Sequence, residues 1–113
     1  MPKKKMVTLR DWNQDRHTVE AYEAGSTLFV SRSLPRSPDA RSPGLPWRVS
    51  NRGTGLSIGH VPSRAAAFRV ALIVDDTCLR SETDALGSDG PKAARAYDAA
   101  AVRAAFAAEK GTY

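Results

Sequence analysis

Few residues in this chain are placed to do covalent or metal chemistry. His17 and His60 are the only histidines and lie far apart. Neither has cysteine or carboxylate neighbours at metal-ligand spacing, so no metal site is expected. No serine sits in a Gly-x-Ser-x-Gly turn, which removes the local signature of a hydrolase nucleophile. Asp75 and Asp76 are adjacent, and on a helix adjacent side chains do not face each other. Gly53-Thr54-Gly55 has the look of a phosphate loop. However, the segments on either side alternate like strands, and a dinucleotide fingerprint needs a helix after the turn. Cys78 is the single cysteine; it can form no internal disulfide and reads as a small buried helix residue. A non-enzymatic protein without cofactor or metal is the expectation.

The basic residues make the stronger pattern. The net charge is +5, and it is uneven. Residues 1–69 hold 12 basic and 5 acidic residues, whereas residues 70–113 hold 5 and 7. Arginine outnumbers lysine 12 to 5, and guanidinium is the better fork for phosphate or carboxylate. Six candidate contact residues follow: Arg32, Arg36, Arg41, Arg48, Arg52 and Arg64. Arg48 and Ser50 alternate with Trp47 and Val49, so they are expected on the sheet face away from the core. With Arg32 and Arg52 they would form a positive face suited to phosphates rather than base edges. The same arginines suit an acidic protein surface, for which Trp12, Tyr97 or Phe106 would be the apolar anchor.

Those residues need a scaffold. The chain has 113 residues, the size of one domain. Residues 1–7 are expected as a flexible basic tail, 8–80 as an α+β core, 81–90 as a linker and 91–113 as a C-terminal helix. Thr8 and Asp11 read as a capping box. Leu9, Trp12, Arg16, Val19 and Tyr22 recur at helical spacing up to Gly25, which predicts a helix. The competing reading is a strand over His17–Tyr22, hairpinned through Ala24-Gly25-Ser26. Thr27–Ser31 reads as a strand, and the proline-rich stretch from Pro35 to Pro46 as a loop. Trp47–Ser50 and Leu56–His60 alternate about a glycine turn and predict a β-hairpin. Ser63 then caps a helix reaching about Leu79. Pro91 opens an alanine-rich helix over Lys92–Glu109. Its small-residue face is expected to pack loosely on the core, or on a second copy in a homodimer. The predicted fold is α+β: a three-stranded antiparallel sheet backed by a helix, with an N-terminal helix or strand and a C-terminal helix. No apolar run approaches the ~20 residues of a membrane span, and no signal peptide follows Met1, so a cytoplasmic protein is expected.

The order helix, three strands, helix from Thr8 to Leu79 is similar to the double-stranded RNA-binding domain. That resemblance implies phosphate contacts at the start of the last helix, where Ser63-Arg64-Ala65-Ala66 supplies Arg64. Trp47-Arg48-Val49-Ser50, Thr54-Gly55-Leu56-Ser57-Ile58-Gly59 and Ser63-Arg64-Ala65-Ala66-Ala67 together resemble small phage and plasmid accessory proteins. This implies a DNA-binding accessory or a small inhibitor of host defence, of the anti-CRISPR kind. Inhibitors that imitate DNA are strongly acidic, so steric capture is the route open to a basic chain. The sequence points to a module binding nucleic-acid backbone, with capture of a host protein complex as the alternative.

Overall fold

The computed structural model describes residues 4–10, 15–34, 45–53, 55, 57–77 and 97–112. Trp12, Arg36, Arg41, Cys78 and the expected 81–90 linker lie outside them.

Lys4–Arg10 forms strand β1 and Arg16–Ala24 forms β2. They pair antiparallel, from Lys4 opposite Tyr22 to Arg10 opposite Arg16. The helix expected over residues 9–24 is therefore overturned, and Lys4 to Val7 belong to a strand rather than a tail. The strand reading of His17–Tyr22 holds, with its turn at Gly25 (φ 60°). Period two explains the outcome. Val7 and Leu9 are buried while Met6 and Thr8 are exposed, and Val19 and Ala21 are less exposed than Thr18 and Glu20. The helical spacing that links Val19 to Tyr22 joins side chains on opposite sides of the sheet.

Leu28–Arg32 (β3), Trp47–Asn51 (β4) and Ser57–Val61 (β5) complete the sheet. The architecture is α+β, but the sheet has five antiparallel strands in the order β1-β2-β3-β4-β5, not three. A bulge between β4 and β5 shifts the register after Val49. Helix α1 spans Arg64–Asp76, and Ser63 caps it by accepting from the Ala66 N–H at 3.1 Å. Helix α2 spans Ala99–Ala108 behind its cap Asp98.

Both helices cover one side of the sheet. Leu28, Val30, Val49 and Val61 pack there against Ala66, Ala67, Val70, Ala71 and Val74 of α1. The alanines let α1 sit close to the strands. Phe106 of α2 lies on Gly59, where a Cβ would come within 2.7 Å of its ring. Tyr97 and Phe106 are 2% and 1% exposed, so neither is the surface anchor expected from the sequence. Burying a phenylalanine contributes roughly 1.5–3 kcal/mol, which ties α2 to the core more firmly than its alanines would. Beyond α2, Thr112 exchanges two 2.8 Å backbone hydrogen bonds with His60 and covers the outer edge of β5.

The other side of the sheet carries no helix among the described residues, yet it is not open. The Arg10 N–H donates to the Gly55 carbonyl at 2.8 Å. Arg10 ends the first strand, and Gly55 lies in the turn between the last two. The sheet must therefore curl until its first edge meets its last turn. Gly55 (φ 73°) allows this, because a Cβ there would sit 3.1–3.3 Å from the backbone of Thr8, Leu9 and Arg10. Inside the half-closed barrel lies a second small core of Val7, Leu9, Ala21 and Phe29, with Val19 and Leu34 against it.

Candidate functional site

The predicted arginine face is not one surface. Arg48 does point away from the helices, but that side is the barrel interior, and Arg48 is only 3% exposed. Its Nη2 donates to the carbonyls of Arg10 and Gly55, both at 2.7 Å, and its Nε to Ser50 Oγ at 2.6 Å. Arg48 thus pins the seam where the sheet closes. Strand alternation identified the correct side; it gave no sign that the sheet curls over it.

Arg52 is half-buried and engaged within the fold. It donates to the Leu28 carbonyl at 3.0 Å and the Gly25 carbonyl at 2.7 Å, and lies 5.4 Å from the centre of the Phe29 ring. Glu23 faces it at 3.9 Å and forms a closer ion pair with Lys5. The hydrogen bond from Lys5 and the charge of Arg52 hold the Glu23 carboxyl below its ordinary range. Arg48 and Arg52 are therefore withdrawn as surface contacts.

Arg32 and Arg64 remain exposed, and they stand at one end of the molecule on the helix side. Arg32 and Trp47 are cross-strand partners, and the guanidinium lies 5.1 Å from the indole centre. Trp47 pairs in turn with Val61, three residues before Arg64. Arg64 lies 5.8 Å from the Tyr22 ring and donates to its hydroxyl at 3.2 Å. Lys4 approaches the same ring at 6.0 Å and pairs with Glu20 at 3.5 Å. The first turn of α1 carries no acidic residue, so its dipole adds positive potential. A guanidinium laid on a ring is pre-positioned, with N–H groups free to point outward. Arg36 and Arg41 lie outside the described residues; the described ends on either side, at Leu34 and Leu45, belong to this same end of the molecule. They are held together by Ser33, whose N–H and hydroxyl donate to the Pro46 and Leu45 carbonyls, both at 2.7 Å. Tyr22 and Trp47, the platforms of this rim, are not among the contacts the sequence marks; Trp47 opens β4 beside Pro46, a weak signal, and Tyr22 lies within β2 with none.

The other sequence features are structural. Asp75 accepts from Ser26 N, Thr27 N and Thr27 Oγ1 at 3.0, 3.0 and 2.6 Å, fastening the end of α1 to the β2–β3 turn. Tyr97 donates to Thr27 Oγ1 at 2.7 Å and accepts from Asn51 at 3.1 Å. Asp76 is exposed and takes no part in this network. Among the described residues no group of three or more histidines, cysteines or carboxylates is placed to hold a metal. No described helix is long and apolar enough to cross a membrane.

His60 faces Arg48 across the β4–β5 pair. Burial, with the Arg48 charge second, lowers its pKa from 6.5 to about 4. The folded state therefore resists a proton that the unfolded chain accepts. Stability is unaffected above pH 6.5, falls as pH drops from 6.5 towards 4, and loses nothing more from this group below that. The whole loss is on the order of 3 kcal/mol. Urea unfolding at pH 7, 5.5 and 4.5 should show it, and His60→Gln should flatten the dependence over that interval.

No family model, curated protein or solved structure matches this chain.

Proposed function

We propose that this protein is a non-enzymatic binding module that holds nucleic-acid backbone at the Arg32–Arg64 rim. The observation that carries this reading is a pair of exposed guanidiniums, each resting on an aromatic ring beside the acid-free N-terminus of α1. Arg36 and Arg41, in the sequence between Leu34 and Leu45 and outside the described residues, stay as candidate contacts. Such a rim reads phosphates and not base edges, so little sequence preference is expected. Binding to duplex DNA, followed by fluorescence anisotropy, should weaken steeply with salt as counterions are released. Arg32→Ala and Arg64→Ala should each reduce the log–log salt slope by about 0.9, and together weaken binding about tenfold or more without unfolding the chain. A flat salt response, or a double variant that binds as well as the parent, overturns the reading.

Capture of a host protein complex stays as a second reading because α1 leaves Leu72 and Ile73 60% and 49% exposed. Changing both to serine should abolish such a complex and leave DNA binding intact.

A further inference from the structure

The two edges of the sheet are unlike. The outer edge of β5 is covered by Thr112, whereas among the described residues β1 pairs only with β2 and, at its far end, with Gly55. That far contact fixes the direction of every backbone group on β1. The Arg10 N–H bonds Gly55, so it points away from β2. In an antiparallel ladder the outward direction recurs every second residue. Thr8, Met6 and Lys4 therefore also turn their backbone groups outward. The Thr8 carbonyl lies against Gly55. Among the described residues, the outward groups of Lys4 and Met6 and the Thr8 N–H have no hydrogen-bond partner.

We propose that this free stretch of β1, from Lys4 to Thr8, receives an extended acidic segment of a partner protein as a sixth strand. An open edge is a template for strand addition, and main-chain hydrogen bonds supply much of the affinity. Side chains decide which strand is admitted. β1 carries Lys4, Lys5 and Arg10 and no acid. Lys4 and Lys5 stand on opposite sides of the sheet, and their side chains are 56% and 52% exposed. Both already pair within the sheet, Lys4 with Glu20 and Lys5 with Glu23, but lysines on an edge repel basic or indiscriminate strands, and each has exposed surface to take a second carboxylate from a strand laid beside it. A second copy of this chain is a poor occupant, because it adds two more lysines to the seam and no acid. Met6, 61% exposed, offers the newcomer an apolar neighbour on the helix side. This edge meets the Arg32–Arg64 rim at Lys4, which shares the Tyr22 ring with Arg64, but its main-chain groups take no part in the rim.

The test uses the isotope-labelled full chain and a capped eight-residue peptide alternating glutamate and valine, with a lysine–valine peptide as counterpart. The acidic peptide should slow amide exchange at Met6 and Thr8 and bind at least tenfold more tightly than the basic one. The double variant Lys4→Glu with Lys5→Glu should reverse that preference. Met6→Pro, which removes only an outward N–H, should abolish binding while the rest of the spectrum is retained. Arg32→Ala with Arg64→Ala should leave peptide binding unchanged, so failure here is distinct from failure at the rim. The proposal is overturned if Met6 and Thr8 gain no protection, or if both peptides bind equally. It is also overturned if sedimentation shows the edge already closed by a second copy.

Discussion

Replacing Arg48 with methionine is expected to lower the unfolding free energy by about 2–4 kcal/mol, with no loss of DNA affinity in the folded protein. The sign is not automatic. Exchanging a buried ion for an apolar residue of similar volume is often harmless when its charged partner leaves with it. Here the partners stay. They are the backbone carbonyls of Arg10 and Gly55 and the Ser50 hydroxyl, all at 2.6–2.7 Å. Gly55 keeps the Arg10 N–H, but the charge-assisted bonds to both carbonyls are lost. Hydrogen bonds to charged groups contribute about 1.5–3 kcal/mol each, more than is regained by no longer burying the cation. Arg48→Lys keeps the charge without the fork that spans two carbonyls, and should fall between parent and methionine variant. Urea denaturation gives the stability, and anisotropy at fixed salt gives the affinity. A methionine variant as stable as the parent would show that Arg48 does not hold the barrel seam.

The second large effect concerns Gly25 and Asp75, and it should appear as non-additivity. Asp75→Ala removes the acceptor of three hydrogen bonds and leaves two turn N–H groups without it, at about 3 kcal/mol. Gly25→Ala should be about as damaging. The left-handed conformation costs an alanine roughly 1–2 kcal/mol, and its methyl would occupy the place of the Asp75 carboxyl. Once Asp75 is gone that collision is gone too. The double variant should therefore lose about 1–2 kcal/mol less than the sum of the singles, a coupling within the range seen for residues in contact. Strict additivity would mean the turn and the helix end respond independently.

Legibility in the sequence followed locality. The Ser63 cap, the body of α1 and the β4–β5 hairpin rest on residues close together in the chain, and these were readable. The N-terminal segment was not. Leu9, Trp12, Arg16, Val19 and Tyr22 satisfy helical spacing while Val7, Leu9, Val19 and Ala21 satisfy alternation, and only pairing with a strand on each side of β2 decides between them. The arginines failed for a related reason. Arg48 occupies a position whose side-chain direction is given by alternation. Whether that direction leads to water depends on a contact between Arg10 and Gly55. Arg52 is expected on the positive sheet face, yet it reaches back to the Leu28 and Gly25 carbonyls, which only the folded β2–β3 turn brings near. Arg32 and Arg64 were legible as exposed cations, but their neighbourhood depends on Trp47 lying between Arg32 and Val61.

The meander also sets an order of events as the chain is made. Each strand can pair with the one before it as soon as it emerges. The residues that shield β5, however, are Phe106 over Gly59 and Thr112 beside His60, and both follow some fifty residues later. A nascent chain reaching only as far as α1 would display a bare strand beside an unfilled hollow, the kind of surface that recruits neighbouring chains. Pausing of translation between α1 and α2 should therefore favour clumping of unfinished molecules, whereas a chain carried through Thr112 has closed that flank for itself.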